Sequence, residues 1–117
     1  MKFLFILNDA PYGSERSYNA LRLAGTLAGR AENEMRMFLI GDGTSCAKSG
    51  QKVPEGFYNI QLMLTKVVRN PANSMGACGS CMAAIGIEDK DLIEGLHRST
   101  MVEMAEWSEW AEKVLVF

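Results

Sequence analysis

The chain has 117 residues, of which 48% are hydrophobic and 22% charged, the proportions of a folded globular protein rather than a disordered one. Twelve Lys and Arg against fourteen Asp and Glu leave a formal net charge of -2, which favours neither nucleic acid nor an acidic membrane as partner. One domain spanning 1–117 is expected at this length, and no apolar run approaches the roughly 20 residues that cross a bilayer.

Phe3–Leu7 is a continuous apolar run, the pattern of a strand covered on both faces in a parallel sheet. It ends at Asn8 and Asp9, too soon for a signal-peptide core, so a cytoplasmic address is expected. Asn8 to Gly13 reads as a loop, and Ser14 can cap a helix running to about Gly29. On that helix Tyr18, Leu21, Ala24, Gly25 and Ala28 recur at helical spacing, and Ala20, Leu23 and Leu27 widen the stripe. So wide an arc predicts burial against the sheet and a second neighbour. Met35–Ile40 reads as a second buried strand closed by Gly41-Asp42-Gly43, with Thr44 to Lys52 a helical turn and then a loop. From Gly56 onward, Phe57, Ile60, Leu64, Val67 and Val68 fall on one helical face that Asn70-Pro71 ends.

Ala72–Ala77 has weak strand propensity, but its place after strand-helix-strand-helix marks it as the third strand, delivering Cys78 at its end. Gly86–Gly95 reads as a connector containing a short apolar piece, Leu92-Ile93. Thr100 and Glu103 form a T-x-x-E capping box for a last helix, whose inner face is read as Met101, Met104, Ala105, Ser108 and Ala111. Val114–Phe117 reads as a final strand. The order predicts an α/β fold, one compact domain with a mainly parallel sheet of about five strands and helices on both faces.

Three cysteines, Cys46, Cys78 and Cys81, do not make a disulfide scaffold. In a reducing compartment thiols are kept for chemistry, and Cys78-Gly79-Ser80-Cys81 is the strongest chemical signal in the chain. A cysteine beyond the carboxyl end of a parallel strand, where a helix begins, meets free backbone N–H groups that favour the thiolate. Gly79 and Ser80 are small enough to admit a partner sulfur. The same spacing serves thiol–disulfide redox proteins of the thioredoxin type, although those place the motif early and keep a Pro nearby, and no Pro follows Pro71 here. A zinc site would need Cys46 and His97 to complete a Cys3His set from scattered positions. Two buried cysteines without chemistry are the bland reading.

His97, the sole histidine, is read as a solvent-exposed loop residue, the alternative being a general base for the cysteines. Pro11 to Ser14 precedes a helix and reads as a tight turn, or else as a small anion site. Neither G-x-x-x-x-G-K-[ST] nor G-x-G-x-x-G occurs, and no cofactor is called for. Of the eight methionines, Met35, Met37, Met63, Met101 and Met104 fall on predicted core positions. Trp110 projects among Glu103 and Glu106, either as a subunit contact or packed beneath a loop.

The chain resembles the DsrE/DsrF-like family of small sulfur-relay proteins, especially its YchN-like branch. The resemblance rests on Asn8 to Glu15, Leu21 to Ala24, Gly50-Gln51-Lys52, Glu55-Gly56 with Tyr58 to Gln61, the C-x-x-C with Gly86-Ile87, and the ending Asp89 to Phe117. It implies assembly into trimers or hexamers and a cysteine that carries a persulfide sulfur from donor to acceptor proteins. The segment Cys81 to Gly86 looks like that of the sulfur-carrying cysteine, which assigns the acceptor role to Cys81. Cys78 matches the extra cysteine of the branch, in place to resolve or shield the persulfide. Where sulfur-transferring members carry Arg before the Gly, this chain has Ile85, a less cationic setting. The alternatives in function are an interaction or regulatory subunit with incidental cysteines, a C-x-x-C redox protein, and a small-molecule binder near Pro11 to Ser14.

Overall fold

The computed structural model describes all 117 residues, Met1–Phe117. Five strands alternate with four helices: β1 Lys2–Leu7, α1 Arg16–Ala28, β2 Glu34–Leu39, α2 Ile60–Val68, β3 Ser74–Cys78, α3 Gly79–Ile85, β4 Leu96–Ser99, α4 Met101–Trp110 and β5 Lys113–Val116. The sheet order is β4-β3-β2-β1-β5, and every pairing is parallel. The sequence predicts "mainly parallel"; the sheet is wholly so.

The continuous apolar runs of β1 and β2 follow from this arrangement, because both faces of those strands are covered. Phe3, Phe5, Leu7, Met35, Met37 and Leu39 point into one core with α1 and α2. Leu4, Ile6 and Phe38 point to the other face, where Trp107 of α4 closes a smaller core. The first four strands step across the sheet in one direction; the return from β4 to β5 runs back, so α4 lies on the opposite face. The second neighbour implied by the wide stripe of α1 is α2, packed alongside it.

Two expectations shift at element ends. Gly56 adopts φ +88° in a turn, and the second helix begins only at Ile60, where the Asn59 side chain accepts a hydrogen bond from the Leu62 N–H. β3 starts at Ser74 and takes in Cys78, so the first cysteine is the last residue of the strand.

Two others are corrected. His97 is not on a loop: Leu96–Ser99 is the short edge strand β4, paired with β3 from Met75↔Leu96 to Cys78↔Ser99. An edge strand with one neighbour needs no continuous apolar run, so Leu-His-Arg-Ser carries only the single apolar Leu96 as a strand signal. The inner face of α4 is also different. Met101, Ala105 and Ser108 face outward, Met101 being 62% exposed, while Trp107 is buried and Trp110 half-buried. Trp110 is therefore not a ring exposed among acids. The Arg36 guanidinium stacks 3.9 Å from its centroid and the Lys2 ammonium lies 5.7 Å away. The helix has apolar residues on both sides, so periodicity leaves its phase open; the sheet selects the side carrying the two indoles, which fit Phe38 and Arg36.

Candidate functional site

With all strands parallel, the residues after β1, β2, β3 and β4 gather along one edge of the sheet. That edge holds Asn8 and Asp9, the 3-10 turn Gly41–Ala47, the Cys78–Cys81 loop and Thr100. β3 leads into α3, which sends Met82 into the first core, whereas β4 leads into α4 on the other face. The carboxyl ends of β3 and β4 thus diverge, the place where open parallel sheets form ligand crevices. A groove of about 350 Å³ lies there, lined by Phe38, Cys78, Gly79, Ser80, Arg98, Ser99, Thr100 and Met101.

Cys78 is the N-cap of α3, and its sulfur accepts a hydrogen bond from the Cys81 N–H at 3.4 Å. The Ser80 hydroxyl lies 3.3 Å from the same sulfur. Burial pushes the Cys78 thiol up, but the Cys81 thiol, the Ser80 hydroxyl and the backbone N–H groups of Cys81 and Ser80 outweigh it and hold the thiol below its ordinary 9.0. Cys81, half-buried, turns its sulfur to the Gly41 N–H at 3.3 Å. Each sulfur therefore has a backbone N–H donor, Cys78 from the start of α3 and Cys81 from the turn after β2, and both thiols are free. Gly79 makes a close approach here: a Cβ would sit 3.0 Å from both Arg98 Nε and the Ser99 carbonyl oxygen. Arg98 donates to the Gly79 carbonyl oxygen at 3.0 Å and pairs with Asp89 at 3.7 Å.

The other candidates are not brought to the cysteines. Cys46 is fully buried, with its sulfur 3.5 Å from the Asp9 carbonyl oxygen and 3.7 Å from the Ser17 hydroxyl. Burial raises its thiol to about 11. Cys46 and His97 do not converge on the C-x-x-C, and no group of three or more His, Cys, Asp or Glu could hold a metal ion. His97 gives its ring Nε2 to Glu103 and meets the Trp107 ring edge-on. Only half of the predicted capping box forms. Thr100 accepts from the Glu103 N–H, but the Glu103 carboxylate turns to Ser99 and His97 instead of the Thr100 backbone. Burial raises the Glu103 carboxyl, while the Ser99 and His97 hydrogen bonds and the charges of His97 and Arg36 bring it below its ordinary 4.5.

The loop from Pro11 to Ser14 is a turn whose Tyr12 and Ser14 hydroxyls are engaged by neighbouring segments. Ser14 donates to Asp9 at 2.7 Å; the Tyr12 hydroxyl donates to Gln51 at 2.8 Å and accepts from the Ile60 N–H. Tyr12, Tyr58 and Tyr18 stack in sequence beside it. Gln51, Tyr58 and Gln61 thus tie the loops together.

Sequence reasoning missed Arg98. It lies in no motif and reaches the cysteine loop only because β4 pairs with β3; the one signal that could have found it is the apolar Leu96 two residues ahead, opening a strand.

The fold and site define a small all-parallel α/β protein with a cysteine pair at the carboxyl edge of its sheet. The chain belongs to the DsrE/DsrF-like family, whose model matches residues 1–117. It is 40% identical over 117 residues to protein YchN of Escherichia coli K12, covering 99% of this chain and 98% of that protein. It is 37% identical over 112 residues to an uncharacterized protein of Methanopyrus kandleri, covering 96% and 90%. The crystal structure of YchN from E. coli superposes with a TM-score of 0.91 at 39% identity, covering 100% of this chain and 99% of that one. A Methanobacterium thermoautotrophicum protein, MTH1491, shares the fold at 12% identity, with a TM-score of 0.74 over 99% and 98% of the two chains. No helix is long and apolar enough to cross a membrane.

Proposed function

We propose that the protein is a cytoplasmic sulfur carrier that receives sulfane sulfur on Cys81 from a persulfidated donor protein and passes it to an acceptor protein. The observation that carries this reading is the cysteine pair itself: two free thiols three residues apart, each with its sulfur held by a backbone N–H at the end of a parallel strand. Cys81 is the more accessible of the two, and Ala84 and Ile85, three and four residues on, share its helical side and are exposed. A protein surface can reach that side. The Cys81 thiolate attacks the outer sulfur of the donor persulfide; a new S–S bond forms, the donor S–S bond breaks, and the donor cysteine leaves as a thiolate. The Cys81 proton has an adjacent acceptor in the Cys78 sulfur. No oxidant or reductant is consumed. Attack by Cys78 on the inner sulfur would instead release sulfide and close a disulfide.

Self-association to a trimer or hexamer is part of the proposal. Beside α2, Phe57 and Leu62 are each more than 60% exposed, apolar side chains that a subunit contact would cover. The test is to incubate the protein with a persulfidated donor protein and weigh it intact. The wild type and Cys78→Ser should gain the mass of a sulfur atom, and Cys81→Ser should not. Gain in Cys81→Ser but not in Cys78→Ser refutes the assignment, and no gain in any form refutes the carrier reading. Sedimentation at micromolar concentration checks the assembly; a monomer refutes it.

A further inference from the structure

The two cysteines open in different directions. Cys78 lines the groove between β3 and β4 with Ser80, Arg98 and Met101, while the Cys81 sulfur is turned to Gly41 and is not among the groove-lining groups. Cys78 is only 8% exposed, at the wall of a space of about 350 Å³. That volume is at the low end for small-molecule sites. A thiol so recessed admits a small donor and excludes the flat surface of a protein.

The groove also has one cation. The Arg98 side chain is 44% exposed; its guanidinium is anchored to the Gly79 carbonyl oxygen and meets Asp89 only at 3.7 Å, an exposed pair that contributes little. A planar guanidinium with donors to spare is suited to a carboxylate. The Ser80 hydroxyl lies on the Cys78 side, 3.3 Å from that sulfur. Of the remaining lining, Gly79, Ser99 and Thr100 are small, and the exposed Met101 side chain offers an apolar wall to the aliphatic part of a thiol.

Building on the carrier reading above, we propose that this groove is a second loading site, taking the persulfide of a small carboxylate-bearing thiol, with Cys78 as the receiving nucleophile and Arg98 as the residue that selects the anion. The Cys78 thiolate attacks the outer sulfur of R–S–SH, forming Cys78–S–SH; the donor S–S bond breaks and RS⁻ leaves with the electron pair, taking a proton from water. The Cys81 thiolate then attacks the outer sulfur of Cys78–S–SH, giving Cys81–S–SH and regenerating the Cys78 thiolate. Both steps are exchanges of sulfane sulfur without net oxidation. The groove thus loads from small molecules on one side of the loop, and Cys81 unloads to proteins on the other.

The test is a crossed loading experiment read by intact mass. With glutathione persulfide as donor, Cys81→Ser should charge, at Cys78, and Cys78→Ser should not, the reverse of the pattern with the persulfidated protein. If Cys78→Ser charges from glutathione persulfide as fast as wild type, the groove proposal is overturned while the carrier reading stands. Failure of the protein donor to charge the wild type overturns the carrier reading. Selectivity is measured as the ratio of initial loading rates for glutathione persulfide and for the persulfide of 2-mercaptoethanol, which has no carboxylate. Loss of one charge-assisted hydrogen bond in Arg98→Gln should lower that ratio about tenfold, and Arg98→Lys, keeping charge without the fork, should fall between. Taking a ratio cancels any loss of folded protein. An unchanged ratio in Arg98→Gln overturns the role of Arg98. Arg98-dependent loading from thiosulfate, with none from glutathione persulfide, overturns the choice of a carboxylate.

Discussion

Alkylation of the three thiols puts the difference in their surroundings to a quantitative test. Cys46 lies wholly out of solvent, and burial lifts its thiol from the ordinary 9.0 to about 11. At pH 7.5 its thiolate fraction falls from about 1 in 30 to about 1 in 3000, a roughly 100-fold loss of the reactive form before steric protection is counted. Cys78 is shifted the other way by its neighbours, and Cys81 is half-buried rather than enclosed. Iodoacetamide applied to the reduced, folded protein at pH 7.5 should therefore modify the C-x-x-C peptide at least about 100-fold faster than the Cys46 peptide. In denaturant the rates should converge, because the difference belongs to the fold and not to the residue. Peptide mapping over time gives the rate constants. Labelling of Cys46 within about tenfold of the C-x-x-C peptide in the folded protein would refute the reasoning, as it would require Cys46 to be solvated.

The same thiol makes the fold sensitive to base. The unfolded chain loses the Cys46 proton near 9.0 and the folded chain near 11, so stability is full below pH 9 and falls by up to about 3 kcal/mol as pH rises through 11; denaturant titrations should show a smaller alkaline loss in Cys46→Ala. The Glu103 carboxyl is held below 4.5, so its contribution is present above that pH and lost as pH falls through the depressed value. Glu103→Gln should cost about 1–2 kcal/mol near pH 7 by urea unfolding, with the gap narrowing below pH 4. Gly43→Ala would place a Cβ 2.1 Å from the Leu7 carbonyl oxygen, a backbone atom that no side-chain rotation can move aside, and should cost about 3 kcal/mol; a change under about 0.5 kcal/mol would contradict the close approach. Trp110→Ala should lose about 1 kcal/mol through the Arg36 stack, a loss that Arg36→Met should share rather than add to in a double-mutant cycle.

Much of the site was legible because its chemistry is local. Cys78 and Cys81 stand three apart in one segment, and the strand-helix order puts that segment at the carboxyl edge of a parallel sheet. The resemblance markers were legible too, but their purpose was not. Gln51, Tyr58 and Gln61 read as isolated polar positions until Tyr12 meets Gln51 across 39 residues and the Ile60 N–H across 48. His97 and Glu103 illustrate the limit from the other side: a capping box is a local rule, and a Ser99 hydroxyl and a His97 ring from the adjoining edge strand outcompete the backbone partner it assigns.

By itself the sequence determined the fold class, the order and approximate extent of four strands and the main helices, and the closely spaced pair of thiols. Each of these is written in short-range periodicity and spacing, which the chain carries along its own length. Only the tertiary structure decided the rest. Which side of α4 faces the sheet depends on what the sheet offers to Trp107 and Trp110. Whether Leu96–Ser99 is a strand depends on β3 lying beside it. That pairing is also what carries Arg98 to the Gly79 carbonyl and gives the cysteine groove its cation. These outcomes follow from contacts between residues distant in sequence, whose energies no local pattern records.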